Sequence, residues 1–190
     1  MARSKEVTRR KILDAAYLQF RQKGFSRVNV DEIASSADVT KRTLYSHFSS
    51  KDALLEEVLK IQQELAFFAF QTFGEALVGS PKQIVKVFFS ELARWARKPR
   101  WEGSGFTRLA MELADLPGHP ARRIARLHKA DLETHLAQRL SKAGLSDAKR
   151  KARQIWILTE GAMALMLIHN DMEYCAEAEE AAQILIADSC

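Results

Sequence analysis

The stretch VDEIASSADVTKRTLYSHF, from Val30 to Phe48, constrains the fold of this chain more than any other. Its apolar residues fall into two sets at helical spacing on either side of an Ala-Asp-Val link. Each set marks a helix of about two turns, too short to be stable alone, so the helices must pack on each other and on a third. A sharp turn at Asp38, a residue type that tolerates the left-handed conformation, predicts a helix-turn-helix unit. The first set is Val30, Ile33, Ala34 and Ala37, and the second is Leu44 and Phe48.

Helical patterns also cover the rest of the chain. The Val/Ile/Thr alternation typical of strands is absent, and the 8 Gly and 4 Pro fall mostly between periodic segments, so we predict an all-α protein. Gly24 is placed to end the first helix, and Asn29 with Glu32 has the form of a capping box. Ser146 or Asp147 is placed to cap a late helix. The predicted helices cover about residues 5–23, 30–37, 40–48, 51–73, 81–96, 106–114, 121–143, 147–170 and 176–187.

The net charge of +5 is concentrated at one end of the chain. Residues 1–51 contain 11 Lys/Arg and 5 Asp/Glu, a balance of +6, whereas residues 52–190 contain 18 and 19, a balance of −1. A basic end on a near-neutral body favours a polyanionic partner, most often nucleic acid. The alternative at this point is an ordinary solvated surface.

Several classes of protein are disfavoured by what the chain lacks. No apolar run reaches the ~18 residues that span a bilayer, and no apolar segment of a secretory signal follows the basic start. Cys175 and Cys190 have neither disulfide-scaffold nor metal-site spacing, which favours free thiols in a reducing compartment. We therefore predict a cytoplasmic protein that does not bind membranes.

An enzyme is the alternative from a different class, and the motifs do not support it. There is no phosphate loop and no dinucleotide-binding glycine pattern. Ser146 to Lys149 spells S-x-x-K without its companion motifs. His128 and His135 would lie about 10 Å apart along one helix, too far to share a metal. We expect no catalysis, no cofactor and no metal.

The second short helix carries side chains of the kind that bind DNA. Arg42 can donate two hydrogen bonds to guanine, Lys41 suits phosphate, and Thr43 can contact a base edge. Lys51 begins a further helix, whose N-terminus attracts anions. These features together predict that the second helix enters the DNA major groove. The predicted DNA-binding residues are Asn29, Thr40, Lys41, Arg42, Thr43, Tyr45, His47 and Lys51.

The segment GFSRVNVDEIASSADVTKRTLYSHFSSKDALLEEVL resembles the N-terminal region of TetR-family transcriptional regulators. The matching motifs are Gly-Phe at 24–25, I-A-x-x-A-x-V at 33–39, T-L-Y-x-H-F at 43–48, and Lys-Asp at 51–52. The resemblance implies an N-terminal three-helix DNA-binding domain over residues 1–51 and a helical ligand-binding and dimerisation domain over 52–190. The chain departs from the family pattern at Val28-Asn29, at Asp38 and at Arg42, and we hypothesise that Arg42 helps to choose the operator.

The resemblance also implies a homodimer that presents two reading helices to a palindromic operator. Helices 121–143 and 147–170 are the expected dimer elements, although their apolar stripes would equally suit an intramolecular core. The predicted interface residues are Ile124, Leu136, Leu140, Ile157, Gly161, Leu165 and Ile168.

An aromatic-rich C-terminal body is the remaining feature of the sequence. The family resemblance implies a small hydrophobic effector that releases a repressor from DNA, with the helix from Asp52 as the lever between the two domains. Ordinary core is the alternative for each aromatic residue, and a DNA-binding module without a sensor is the alternative for the protein. The predicted effector-binding residues are Phe67, Phe70, Phe88, Trp95, Phe106, Met111, Trp156 and Met163.

Overall fold

The computed structural model describes the backbone of residues 2–187 and the side chains within it, apart from those of residues 2–4, 67–73, 75 and 76. Over these residues the chain forms nine α-helices and no strand, which confirms the all-α prediction. The helices are α1 Ala2–Lys23, α2 Val30–Ser36, α3 Lys41–His47, α4 Lys51–Ala76, α5 Pro81–Ala96, α6 Gly105–Glu112, α7 Pro120–Lys142, α8 Ala148–His169 and α9 Glu173–Ala187.

Local signals set most of the helix ends. The capping box predicted before α2 is confirmed, since the Asn29 side chain accepts from Glu32 N and the Glu32 carboxylate accepts from Asn29 N. Gly24 ends α1 with φ at +84°, as predicted. Of the two capping residues predicted for α8, Ser146 or Asp147, the prediction for Asp147 is wrong. Asp147 precedes α8 in the left-handed region, where its carboxylate does not reach the first-turn amides and instead accepts from Arg150 at 3.0 Å.

The chain divides into two compact units. The first unit comprises Met1–Leu65 and Gly105–His128, and the second comprises Ala66–Ser104 and Lys129–Cys190. Residues 1–51 all belong to the first unit, together with the first half of α4, all of α6 and the start of α7. Because the units group residues by packing and the predicted domains divide them by function, the boundary at residue 51 stays a prediction.

The core of the second unit is formed by α5, α8 and α9 together with the second half of α7. Leu136 and Leu140, on α7, are fully buried in it. Ile124, further back on α7, is buried in the core of the first unit. These three residues were predicted at a dimer interface, and that is wrong because each fills the core of its own chain. On α8, by contrast, Ile157, Gly161, Leu165 and Ile168 are exposed.

Candidate nucleic-acid interface

Three helices of the first unit pack around one core. Ile12 and Ala16 of α1, Ile33 of α2 and Leu44 of α3 are fully buried and belong to a single cluster. Because α2 and α3 have seven residues each, their stability comes from this packing. The buried stripe on α3 also determines which of its side chains face solvent.

The link between α2 and α3 is a tight turn. Asp38 has φ of 55°, so the predicted left-handed residue is confirmed. Val39 N donates to Ala34 O at 3.0 Å and Asp38 N donates to Ser35 O at 3.1 Å. With these amides satisfied, the chain reverses within three residues and α3 packs across α2, which is the helix-turn-helix arrangement.

Thr40 fixes the start of α3. Its hydroxyl accepts from Thr43 N at 3.1 Å and lies 2.8 Å from the Thr43 hydroxyl. Arg42, one residue into the helix, is exposed, as is Tyr45 one turn later. Both point away from the core that Leu44 fills, so the N-terminal half of α3 presents a cation, hydroxyls and a phenol to solvent.

Two of the predicted phosphate-binding lysines have partners inside the first unit. Lys41 Nζ donates to Asp31 Oδ2 at 2.9 Å, and this hydrogen bond raises the pKa of the lysine. Lys51 Nζ lies 4.3 Å from the centre of the Phe25 ring, a cation–π contact. Burial lowers the pKa of Lys51, against the opposing charges of Asp52 and Glu112.

The other predicted DNA-binding side chains lie nearby. Asn29 is exposed before α2, although its side-chain oxygen is used by the capping box. His47 is half-buried, with its ring 6.4 Å from the Phe48 ring. Arg9 of α1 lies over the same Phe48 ring, 5.1 Å from its centroid, and pairs with Glu57 of α4 at 2.6 Å.

Glu112 is a residue of this region that sequence reasoning missed. It is the last residue of α6, and its carboxylate accepts from Phe25 N at 3.0 Å and from Ser26 N at 2.7 Å. No sequence signal pointed to it, because the partners are 86 and 87 positions earlier in the chain. It ties the loop between α1 and α2 to α6.

The predicted effector residues are divided between the two units. Phe106 and Met111 belong to the first unit, where Phe106 stacks on His128 at 4.0 Å and Met111 is 71% exposed. In the second unit the Phe88 ring lies edge-on to Trp156 at 5.6 Å.

Met163 and Trp95 complete the described part of this set. Met163 is buried in the same cluster as Phe88, and Trp95 packs edge-on against Trp101 at 5.6 Å and is partly exposed. The side chains of Phe67 and Phe70 lie outside the described residues. Phe88 and Trp156 are thus in ring contact in the second unit, and their role in binding an effector stays a prediction.

Neither a cluster of metal ligands nor a membrane-spanning helix is present in the described parts of the chain. No three His, Cys, Asp or Glu side chains there come together as a metal ion would require. None of the helices, over the same residues, combines the length and apolar character needed to cross a membrane.

Comparison with known sequences identifies the helix-turn-helix. Residues 12–58 match the family model described as bacterial regulatory proteins, tetR family. The HTH-type transcriptional regulator UidR of Escherichia coli K12 is 36% identical over 66 residues, which are 35% of this chain and 34% of UidR. The biofilm operon icaADBC HTH-type negative transcriptional regulator IcaR of Staphylococcus aureus Newman is 40% identical over 50 residues, 26% of this chain and 27% of IcaR. The match thus spans about a third or less of the length of these curated relatives.

Solved structures match over nearly the whole chain. SCO4454, a TetR-family transcriptional regulator from Streptomyces coelicolor, shares the fold with a TM-score of 0.85 at 24% identity, covering 97% of this chain and 96% of that one. A putative TetR transcriptional regulator from Streptomyces avermitilis is 30% identical with a TM-score of 0.75, covering 92% of this chain and 97% of its own. With its helix-turn-helix matched by the family model and its full length matched at 30% identity, this chain belongs to the TetR family of bacterial regulatory proteins.

Proposed function

We propose that this protein is a transcriptional regulator that binds a palindromic DNA operator as a homodimer in the cytoplasm. The observation that carries the proposal is α3, which buries Leu44 and turns Arg42, Thr43 and Tyr45 outward behind a Thr40 cap. The charge of +6 on residues 1–51 supports a polyanionic partner. The relatives UidR and IcaR, which match over this region, are named as transcriptional regulators.

Five side chains of α3 and the start of α4 have a role in this proposal. Arg42 reads a base edge in the major groove, while Tyr45 and His47 donate to phosphate oxygens. Lys41 exchanges its hydrogen bond to Asp31 for one to a DNA phosphate. Lys51, at the start of α4, binds the phosphate backbone of the DNA. Phosphate contacts fix the position of α3, and Arg42 supplies sequence preference.

Selection of bound duplexes from a random pool tests DNA binding directly. We expect two half-sites related by two-fold symmetry and about one helical turn apart. Arg42→Ala should then weaken the selected duplex by about tenfold or more relative to a scrambled one, since a bidentate arginine contributes ~1–3 kcal/mol of discrimination. Arg97→Ala, an exposed arginine of the second unit, serves as the control. Equal weakening of both duplexes would make Arg42 a phosphate clamp, and failure of the wild type to bind any duplex would refute the function.

The proposed dimer uses the exposed apolar face of α8. Ile157 is 66% exposed and Ile168 is 71% exposed, and between them the Cα of Gly161 faces open space. Large apolar side chains on one helix face are typical of an interface between subunits. Sedimentation should give the mass of two chains for the wild type and of one chain for Ile168→Glu. Met111→Glu, at the same 71% exposure in the first unit, should leave the dimer intact.

We further propose that a small hydrophobic effector binds in the second unit and releases the DNA. The edge-on contact of Phe88 with Trp156 and the neighbouring Met163 support an apolar site there. The relative IcaR is a negative transcriptional regulator, which supports a role for this protein in repressing transcription. A thermal-shift screen of apolar and aromatic compounds, followed by DNA release, tests this. If no compound raises the melting temperature or releases DNA, the protein is a DNA-binding module without a small-molecule sensor.

A further inference from the structure

The carboxylate of Glu112 binds the loop that connects α1 to α2. It accepts from Phe25 N at 3.0 Å and from Ser26 N at 2.7 Å, so one side chain satisfies two successive backbone donors. Partial burial acts to raise the pKa of Glu112, and the two amide hydrogen bonds outweigh it and lower the pKa. A negative charge held by consecutive N–H groups is the usual arrangement of an anion-binding turn, here filled from within the chain.

Gly24 allows the carboxylate to come this close. A Cβ atom at this position would lie 3.0 Å from Glu112 Oε1 and 3.1 Å from Oε2. Gly24 therefore has two functions, since it ends α1 in the left-handed conformation and also leaves room for the carboxylate. Arg108 of α6 adds a second tie, because its Nη2 donates to Arg21 O near the end of α1 at 3.3 Å.

The Phe25 ring connects this loop to a predicted phosphate contact. The ring is buried, with Lys51 Nζ 4.3 Å from its centre and the His119 ring edge-on at 5.7 Å. Because the Phe25 amide is bound by Glu112 and the Phe25 ring supports Lys51, a displacement of the loop changes the surface on which the ammonium group rests.

We propose that Glu112 is a positioning residue for DNA binding, which holds the loop at residues 24–26 and, through the Phe25 ring, places the ammonium group of Lys51 for contact with a phosphate. This role rests on the proposed DNA-binding function. It assigns to α6, outside the helix-turn-helix, an indirect role in a phosphate contact, through the loop and the Phe25 ring.

The first experiment measures the loop without DNA. Glu112→Gln keeps the size of the side chain but replaces one acceptor oxygen with an amide group that cannot accept. Asp115→Asn removes the same charge three residues later from an exposed position and is the matched control. We expect hydrogen exchange of the Phe25 and Ser26 amides to accelerate by about tenfold or more in Glu112→Gln only. Unchanged exchange at both amides would overturn the proposal.

The second experiment measures affinity for a selected duplex at several salt concentrations. We expect Glu112→Gln to bind about tenfold more weakly and, having lost one phosphate contact, to show a salt slope smaller by ~0.9. In a Lys51→Met background the same change should cost little more, whereas two independent losses would multiply. Multiplying losses, an unchanged slope, or a loss equal to that of Asp115→Asn would each refute the role of Lys51.

Two further measurements keep the outcomes distinct. Circular dichroism at the assay temperature gives the folded fraction, and Glu112→Asp, which keeps the charge and both acceptors, should recover part of the affinity. If Glu112→Gln is unfolded, Glu112→Asp takes its place in both experiments. The proposal would be refuted if Glu112→Asp bound DNA more weakly while its amide exchange and its salt slope stayed at the wild-type values. If the wild type binds no duplex, the proposed function fails, while the exchange experiment still shows whether Glu112 holds the loop.

Discussion

Two glycines with nearly the same φ angle permit a controlled test of the Glu112 contact. Gly24 has φ of +84° and Gly144 has φ of +85°, both in the left-handed region. A Cβ atom added at Gly144 would meet nothing within 4 Å, whereas one added at Gly24 would meet both Glu112 carboxylate oxygens at 3.0 and 3.1 Å. Alanine at either position therefore pays a similar cost for a left-handed φ, and only Gly24→Ala also displaces the carboxylate.

The magnitudes follow from these geometries. A non-glycine residue in the left-handed region costs ~1–2 kcal/mol, which is the whole expected loss for Gly144→Ala. At Gly24 the carboxylate must move by a few tenths of an ångström or give up one of its two amide bonds. A hydrogen bond to a charged group contributes ~1.5–3 kcal/mol, and exposure of Glu112 to solvent reduces the effect, so we expect ~1 kcal/mol more for Gly24→Ala than for Gly144→Ala.

Urea unfolding followed by far-ultraviolet circular dichroism measures both losses on the same scale. In a Glu112→Ala background the obstructing oxygens are absent, and the cost of Gly24→Ala should fall to that of Gly144→Ala. Equal losses for the two glycine variants in the wild-type background would refute the reasoning. So would an excess for Gly24→Ala that persists without the Glu112 carboxylate.

Three shorter predictions concern the same unit. Leu44→Ala should lower the free energy of unfolding by ~2–5 kcal/mol because Leu44 is fully buried, while Leu18→Ala, at an exposed position of α1, should change it by less than ~0.5 kcal/mol in urea titrations. The folded-state pKa of Glu112 lies below its ordinary value of 4.5, so its contribution to stability is present above that pH and is lost as the pH falls through the folded pKa. Between neutral and acidic pH, the melting temperature of Glu112→Gln should therefore fall by less than that of the wild type. Asp31→Asn releases Lys41 and should tighten binding to a non-specific duplex about threefold in low salt, a gain that high salt removes; unchanged anisotropy titrations would contradict this.

The sequence alone was sufficient to locate the helices, with their ends placed to within three residues. Apolar spacing, the Asn29 capping box and the stop at Gly24 are interactions between residues three or four positions apart, and such neighbours are visible in the printed chain. The left-handed turn at Asp38 and the match to the TetR family follow from the same short stretch. Asp147 shows the limit of this reasoning, since a capping residue type does not guarantee a capping backbone conformation.

Which surfaces meet was decided by the tertiary structure. An apolar stripe shows that one face of a helix is covered, but it does not show what covers it. Leu136 and Leu140 of α7 were therefore predicted at a dimer interface, whereas they are buried in the core of the second unit. The partners of Lys41 and of Phe25 were equally invisible, because Asp31 lies on another helix and Glu112 comes 87 residues later. A contact that closes a long loop leaves no periodic trace in the sequence, and only the packed chain brings its two ends together.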